Sequence, residues 1–273
     1  MIKEMLENVR KQSPLIHNIT NYVTVNDCAN ILLACGGSPI MADDVGEVEE
    51  ITSICGGLNI NIGTLNQRTI PAMLAAGRKA NLLGHPVVLD PVGAGASFLR
   101  TDTALELLQD IQFAVIRGNI SEIKALAHGN GTTKGVDADV SDRVTEQNLE
   151  EAIAFAKAFA QKTGAVIAIT GEIDIVADQN TAYCIRNGHA DMSKITGTGC
   201  QLSALIAAYV TANPGHVLEA AAAAVCAMGF CGEKAKQRMT ELDGNSSYRN
   251  YIIDAICNLS ADELERGANY EVR

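Results

Sequence analysis

The stretch Pro86-Val-Val-Leu-Asp-Pro-Val-Gly-Ala-Gly95 is a short apolar run that ends in a carboxylate, a proline and two glycines. A continuous apolar run of this length, bounded by turn residues, is typical of a strand that is buried on both faces. Five more runs of this kind occur in the chain, at Pro14–His17, Ser38–Met41, Leu58–Ile62, Phe113–Ile116 and Ala165–Ile169. The sequence therefore predicts a set of short parallel strands.

Segments with helical periodicity separate these runs and lie near residues 22–35, 44–55, 67–83, 101–109, 119–127 and 146–162. This alternation is typical of an α/β fold, with a mostly parallel central sheet flanked by helices on both faces. Several of the helical segments are followed by a glycine of the kind that ends helices, which predicts helix ends at Gly36, Gly56, Gly84 and Gly164.

The last part of the chain departs from the alternation. Asp174–Ala177 and Thr181–Ile185 flank a short polar turn and are predicted to form an antiparallel pair, and the chain from about Gly199 to Cys257 is predicted to be helical. No Pro/Ser-rich linker and no repeat interrupts the sequence, which predicts a single domain over residues 1–273. The stretch His128–Asp142 is rich in Gly, Thr and Asp and is predicted to be a mobile loop.

Composition and charge argue against several classes of protein. Hydrophobic residues make up 47% of the 273 residues, the net charge is −11, and no Lys/Arg cluster occurs, which argues against disorder and against binding to nucleic acid or to an anionic membrane. The eight cysteines include no C-x-x-C pair, so they predict buried residues in a reducing cytoplasm rather than a zinc or redox motif. No apolar run approaches the ~20 residues of a membrane span, and Met1–Lys11 lacks the apolar region of a secretory signal.

Polar motifs begin where nearly every predicted strand ends. In an open parallel sheet the carboxyl ends of the strands lie at one edge, and ligands bind there. These motifs would therefore converge on one crevice, which favours an enzyme over a structural module: His17–Asn21, Met41–Asp44, Asn61–Gly63, Asp90–Gly93, Arg117–Asn119 and Thr170–Glu172.

The motif Thr196-Gly-Thr-Gly-Cys200 is a glycine-rich turn that enters an Ala-rich helix. Glycines let the backbone approach a ligand, and a helix N-terminus carries partial positive charge, so the motif predicts an anion hole for a transferring phosphoryl group. Cys200 would lie in the first turn, where a lowered thiol pKa is expected, and it could accept a proton from a substrate hydroxyl. The alternative is an ordinary helix start with a buried cysteine.

Two acidic residues are candidates for holding Mg²⁺. Asp90 ends a predicted strand, although Asp-Pro-x-Gly also forms ordinary turns. Glu122 follows Asn119 by three residues, a spacing that is equally typical of a helix capping box.

Arg117 and Thr170 also end predicted strands and are candidates for phosphate contacts, against the alternatives of a surface salt bridge and a simple turn. His17 and Asn21 could position a polar ligand, although a lone histidine after an apolar run is more often structural. The P-loop, the Rossmann fingerprint and the protein-kinase motifs are all missing from the sequence.

Taken together and in this order, the motifs resemble those of the hydroxyethylthiazole kinases, which are ribokinase-like enzymes of thiamine salvage. The resemblance runs roughly from Ser13 to Ala227. The segments that carry it are Ser13–Asn21, Gly37–Ala42, Asn59–Thr64, Leu89–Ala96, Ile116–Ile123, Lys134–Asp137, Ile167–Glu172 and Thr196–Cys200.

The resemblance implies transfer of the γ-phosphoryl group of ATP to the hydroxyl of 4-methyl-5-(2-hydroxyethyl)thiazole. It implies ATP contacts at Arg117 and Thr170, and Mg²⁺-associated acids at Asp90 and Glu122. Related sugar kinases carry Asp where this chain has Cys200, so the resemblance implies a catalytic thiol.

For the thiazole, the resemblance implies binding at Met41 and Gly197, and a substrate loop that contains Asn21 and Val23. It further implies a homotrimer with active sites between subunits.

The sequence is also compatible with three other functions. An ADP/ATP-dependent dehydratase of hydrated nicotinamide nucleotides and a kinase of a related pyrimidine alcohol would share the ribokinase-like fold. A non-catalytic regulator that binds nucleotide or thiazole would show binding without turnover, although the combination of Asp90, Glu122, Arg117 and Cys200 argues against it.

Overall fold

A computed structural model describes residues 1–129 and 143–273 of the chain. Most of the predicted loop His128–Asp142 and the whole motif Lys134–Asp137 lie outside the described residues. The described part contains a nine-stranded sheet. Its strands are β1 (Leu15–Ile19), β2 (Ser38–Ile40), β3 (Gly57–Asn61), β4 (Val87–Asp90), β5 (Val115–Asn119), β6 (Val166–Thr170), β7 (Asp174–Ala177), β8 (Ala182–Ile185) and β9 (Tyr270–Val272).

The sheet is mostly parallel, as the sequence predicts. Its strand order is β2-β1-β3-β4-β5-β6-β7-β8-β9. The first six strands pair in parallel, and β7, β8 and β9 continue the sheet with antiparallel pairing. All six predicted runs and the predicted antiparallel pair are confirmed. One strand was not predicted from the sequence: β9 has three residues and pairs with β8.

Helices cover both faces of the sheet. One layer contains α1 (Ile2–Gln12), α2 (Val25–Cys35), α8 (Thr198–Ala212), α9 (Val217–Arg238), α10 (Asn245–Asn258) and α11 (Ala261–Gly267). The other contains α3 (Val48–Ile54), α4 (Thr69–Leu83), α5 (Phe98–Asp110), α6 (Ile120–His128) and α7 (Leu149–Thr163).

Side chains alternate between the two layers along each strand. In β4, Val88 packs in the core beneath α8, whereas Val87 and Leu89 pack beneath α4 and α5. Both faces of the strand are buried, which explains its continuous apolar run. The α/β fold class is therefore confirmed. Within the described ranges, no helix is long and apolar enough to cross a membrane.

The first helix of the chain was not predicted from the sequence. The charged N-terminal segment forms α1, which buries Ile2, Met5, Leu6 and Val9 on one face.

Three of the four glycines that were predicted to end helices do so. Gly36, Gly84 and Gly164 have positive φ and lie at helix ends.

The prediction for Gly56 is wrong, because α3 ends at Ile54 and an extended Cys55 follows. The N–H of Gly56 donates to the carbonyl of Leu15, and a Cβ at Gly56 would lie 3.1 Å from Thr211 of α8. A glycine is favoured there by the close approach of α8 rather than by a left-handed helix end.

Candidate active site

The carboxyl ends of four neighbouring strands are joined by side-chain contacts. Asn61 at the end of β3 donates to Asp90 at the end of β4, with 2.7 Å between Nδ2 and Oδ2. Asp90 Oδ1 lies 3.4 Å from Arg117 Nη1 of β5. Arg117 Nη2 in turn donates to Thr170 Oγ1 at the end of β6, at 2.7 Å. The predicted convergence is therefore confirmed for four of the six strand-end motifs.

Asp90 lies at the centre of this group and is fully buried. Its Oδ2 accepts hydrogen bonds from Asn61 and from Ser203 Oγ at 2.8 Å, whereas Oδ1 has, among the described residues, only the longer contact with Arg117. Burial raises the pKa of the Asp90 carboxyl group, and the charge of Arg117 opposes that rise. Oδ1 is therefore the oxygen that is available to a ligand.

Arg117 connects the strand ends to the N-terminus of α8. A Cβ at Gly199 would lie 2.5 Å from Arg117 Nη1, so the guanidinium lies directly against the helix backbone. The side chain of Arg117 is only 12% exposed, which means that its contact with Asp90 is not a surface salt bridge. Its Nε is buried and has no hydrogen-bond partner within the described part of the chain.

Cys200 is the third residue of α8, whose N-cap residue is Gly197 with φ +92°. Its Sγ accepts hydrogen bonds from Asn21 Nδ2 and from Asn61 Nδ2, each at 3.2 Å. Burial raises the pKa of the Cys200 thiol, and the negative charge of Asp90 raises it further. The expected lowering of this pKa is therefore wrong, because burial and a neighbouring carboxylate raise it.

Glu122 forms the capping box that its spacing with Asn119 suggests. Glu122 Oε2 accepts from Asn119 N at 2.8 Å, and Oε1 accepts from Gly93 N at 2.9 Å. Burial raises the pKa of Glu122, and the charge of Asp90 raises it further. Glu122 therefore ties α6 to the loop that follows Asp90 and brings a second carboxyl group near the first.

Of the four predicted substrate residues, Asn21 is the one that hydrogen-bonds to this centre within the described ranges. Asn21 contacts both Cys200 and Asn61. Gly197 packs against the residue before α2, because a Cβ there would lie 2.7 Å from Thr24 Cγ2. Met41 follows β2 and packs against the core beneath α2 and α8, and Val23 is exposed.

His17 is a structural residue in this arrangement. It is fully buried, its Nε2 lies 2.8 Å from the carbonyl of Ala42, and its Nδ1 lies 3.0 Å from Thr52 Oγ1. Burial lowers the pKa of its imidazole. The side chain fastens α3 and the segment after β2 to the sheet.

Two residues of the site, Ser203 and Arg100, were not identified from the sequence, and Asn61 was predicted only as part of a strand-end motif, without a role. Asn61 and Ser203 hold Asp90, and the spacing of three residues between Cys200 and Ser203 on one helix was the available signal for the second of them. Arg100 donates to the carbonyls of Val92 at 2.6 Å and Gly63 at 2.7 Å. No sequence motif marks Arg100, because its partners are backbone atoms.

Comparison with known proteins identifies relatives over the full length of the chain. The sequence model of the hydroxyethylthiazole kinase family matches residues 6–262. The hydroxyethylthiazole kinase of Clostridium acetobutylicum is 68% identical over 271 residues, which is 99% of each chain.

Solved structures agree with the sequence comparison. The structure of the hydroxyethylthiazole kinase protein from Pyrococcus horikoshii superimposes with a TM-score of 0.88 at 35% identity, over 100% of this chain and 98% of that one. Bacillus subtilis pyridoxal kinase in an ADP complex matches with a TM-score of 0.59 at 15% identity, over 86% of this chain and 98% of that one. That second match shows a shared ribokinase-like fold.

Proposed function

The chain belongs to the hydroxyethylthiazole kinase family, and we propose that the crevice at the carboxyl edge of its sheet transfers the γ-phosphoryl group of ATP to the hydroxyl of 4-methyl-5-(2-hydroxyethyl)thiazole. The observation that carries this proposal is the contact of Arg117 with the first turn of α8, directly above Asp90. The family match over residues 6–262 favours the thiazole alcohol over a pyrimidine alcohol or a dehydratase substrate.

The first turn of α8 is suited to the charge of a phosphoryl group. No described side chain caps this helix, because its N-cap residue is Gly197. The N–H groups of Thr198, Gly199 and Cys200 are therefore free to bind an anion. The guanidinium of Arg117 adds a positive charge beside them, so that amides and guanidinium together stabilise the transferring group.

We assign the ATP contacts to Arg117 and Thr170, which lie side by side at the ends of β5 and β6. Asp90 and Glu122 would hold a Mg²⁺ ion, because carboxylate oxygens bind Mg²⁺, Asp90 Oδ1 has no short hydrogen bond within the described ranges, and the two carboxyl groups are close enough for the charge of Asp90 to act on Glu122. Within the described ranges, no three or more acidic, His or Cys side chains are grouped in a way that could hold a metal ion by themselves. This suits Mg²⁺, which in kinases takes one or two carboxylates and completes its shell with phosphate oxygens and water. When bound, the ion neutralises phosphate charge.

We assign proton transfer to Cys200. The hydroxyl oxygen of the alcohol bonds to the γ-phosphorus, the bond from that phosphorus to the bridging oxygen breaks to release ADP, and the hydroxyl proton moves to Cys200 Sγ. This step requires the thiolate, whereas burial raises the thiol pKa. The hydrogen bond from Asn21 and the nearby charge of Arg117 both lower that pKa and favour the thiolate.

We assign thiazole binding to Asn21, which donates to Cys200 Sγ, to Gly197 at the start of the same helix, and to Val23 and Met41, which follow β1 and β2. The family resemblance leads us to propose a homotrimer with the thiazole sites between subunits. Large apolar side chains that are exposed in the segments after β1, β2 and β4 are available for contacts between subunits: Tyr22, Val23, Val45, Phe98 and Leu99. All eight cysteines are free, which supports a cytoplasmic location.

Product analysis tests the proposed reaction. The protein is incubated with ATP, Mg²⁺ and the thiazole alcohol, and the mixture is followed by phosphorus NMR. We expect ADP and a phosphate monoester of the alcohol to form in equal amounts. ADP with inorganic phosphate and no ester would show ATP hydrolysis instead and would refute the transfer.

A further inference from the structure

Asn61 uses every hydrogen-bonding position of its side chain at the centre of the site. Its Nδ2 donates to Asp90 Oδ2 at 2.7 Å and to Cys200 Sγ at 3.2 Å. Its Oδ1 accepts from Asn21 Nδ2 and from Gly63 N, each at 2.9 Å. The side chain is 1% exposed. An amide that is saturated in this way has one orientation and cannot turn without losing several bonds.

Backbone donors fix which end of each amide faces the thiol. The N–H of Gly63 can only donate, so the atom of Asn61 beside it must be the oxygen. The N–H of Thr24 likewise donates to Asn21 Oδ1 at 3.2 Å. Both NH₂ groups are therefore directed at Cys200 Sγ by contacts with the main chain.

We propose that Asn61 is a positioning residue for the phosphoryl transfer, because a single amide nitrogen holds the Cys200 sulfur and the Asp90 carboxylate in a fixed relation. The inference rests on the proposed function, in which these two groups act on the alcohol and on the metal-bound phosphate. Asn61 contacts neither reactant in this account, and it acts through the two side chains that do.

The amides limit how Cys200 can meet a substrate. The hydrogens of Asn21 and Asn61 approach Sγ from two directions, and the side chain of Thr24 makes a further hydrogen bond to it. These contacts restrict the directions from which a hydroxyl can approach Sγ. Without Asn61 one of the contacts is lost, and the side chain of Cys200 is less fixed for proton transfer.

The same nitrogen limits how Asp90 can turn. Asn61 and Ser203 both donate to Oδ2, so Oδ1 is held on the side of Arg117. Loss of Asn61 leaves Ser203 as the only short hydrogen bond to this carboxylate within the described part of the chain. The position of Oδ1 relative to Cys200 then becomes less defined.

The chain offers a matched control two residues away. Asn59 lies on β3, faces the same side of the sheet as Asn61 and is fully buried. Its Nδ2 donates to Asn18 Oδ1 at 3.0 Å, and it has no hydrogen bond to Cys200 or Asp90. Asn59→Ala therefore removes a buried amide from the same strand without touching the site.

The first test compares kcat and KM of the two alanine variants. We expect Asn61→Ala to lower kcat by about tenfold to a hundredfold, with KM for ATP and for the alcohol within about threefold of the wild type. Asn59→Ala should keep kcat within about twofold, and thermal unfolding of both variants measures any loss of stability. An equal loss of kcat in both variants would show a structural role for Asn61 and would overturn the proposal.

A double-mutant cycle separates this proposal from the role of Cys200. In a Cys200→Ala background, Asn61→Ala should lower the remaining rate by a clearly smaller factor than in the wild type, because one of the two groups through which it acts is gone. The same full loss in both backgrounds would overturn positioning through Cys200. A wild-type kcat for Cys200→Ala alone would instead refute the assigned proton acceptor, so the two failures are distinguishable.

Asn61→Asp serves as a second variant if Asn61→Ala does not fold. It keeps the shape of the side chain and the oxygen that Asn21 and Gly63 need, but loses the nitrogen that Asp90 and Cys200 need. We expect it to lose at least as much kcat as the alanine variant. A wild-type kcat in Asn61→Asp would overturn the proposal.

Discussion

The guanidinium of Arg117 lies so close to the backbone of Gly199 that a Cβ at residue 199 would stand 2.5 Å from Nη1 and 2.7 Å from Nη2. This contact joins the end of β5 to the first turn of α8. It places the positive charge of the arginine beside the N–H groups that are free at the start of the helix. The absence of a side chain at Gly199 is therefore a requirement of the anion site.

Replacing Gly199 with alanine should displace Arg117 and weaken ATP binding. We expect Gly199→Ala to raise KM for ATP by about tenfold, the effect of losing on the order of 1.4 kcal/mol of interaction, while the protein remains folded. Gly244→Ala is the matched control, because no atom lies within 4 Å of a Cβ there. Steady-state kinetics checks both variants, and a wild-type KM for ATP in Gly199→Ala would contradict the assigned role of Arg117.

Removing the thiol should lower kcat far more than substrate affinity. Cys200→Ala loses the proton acceptor, and general-base catalysis contributes typically about a hundredfold or more. Cys257→Ala is the control, since Cys257 is the exposed cysteine of the chain. A kcat within about twofold of the wild type would remove Cys200 from the mechanism.

Replacing the thiol with a carboxylate should preserve the reaction. Related sugar kinases carry Asp at the position of Cys200, and a carboxylate is ionised more readily than a buried thiol. We expect Cys200→Asp to keep or exceed the wild-type kcat. Complete inactivity of a folded Cys200→Asp protein would count against proton transfer at this position.

Asp174 should make the stability of the protein depend on pH. Burial raises the pKa of Asp174 from 3.8 to about 7. Between these two values the folded state holds a proton that the unfolded state has released, so the free energy of unfolding falls as the pH rises through this window. Asp174→Asn has no proton to lose. It should unfold at a higher temperature than the wild type near pH 7.5, and the difference should shrink towards pH 4.

Thermal unfolding from pH 4 to pH 8 checks this prediction. Asp44→Asn is the matched control, because Asp44 Oδ1 accepts a backbone hydrogen bond at 2.8 Å, as Asp174 Oδ1 does, but on an exposed side chain. The control should show no comparable dependence. If the difference in unfolding temperature between Asp174→Asn and the wild type stays constant across the pH range, the raised pKa of Asp174 is refuted.

Glu122 should have two roles that mutation can separate. Glu122→Gln removes a carboxylate next to Asp90, and we expect the Mg²⁺ concentration for half-maximal activity to rise by about tenfold. Asn119→Ala removes the N-cap of the same helix and should reduce stability by about 1 kcal/mol with little change in the Mg²⁺ requirement. Mg²⁺ titrations and thermal unfolding of both variants check this. If the wild type and Glu122→Gln require the same Mg²⁺ concentration, Glu122 does not help to bind the ion and acts only as part of the helix cap.

Much of the fold could be predicted from the sequence because the decisive signals are local. Strands such as β4 are buried on both faces, so their apolar runs are continuous and easy to recognise. The amphipathic spacing of Ile2, Met5, Leu6 and Val9 was also present in the sequence and could have predicted α1. By contrast, β9 has three residues and depends on the edge of β8, which no local pattern reveals.

The site could be predicted only in part because its energetics depend on contacts between distant residues. A helix N-terminus lowers a thiol pKa locally, but Asp90 and burial in the folded protein reverse that direction for Cys200. Asn61 meets Cys200 across 139 residues of sequence. The positions of these residues at strand ends predicted that they would lie close together. The hydrogen bonds between them could be identified only from the structure.

We propose that this chain phosphorylates a thiazole alcohol with ATP. The most direct test is ADP release in the presence of ATP and Mg²⁺, with hydroxyethylthiazole, hydroxymethylpyrimidine or ribose added one at a time. We expect release with the thiazole alcohol to exceed release with either other alcohol by at least about tenfold, a difference of about 1.4 kcal/mol in transition-state binding. No release with any of the alcohols, from folded protein that still binds ATP, would contradict the claim.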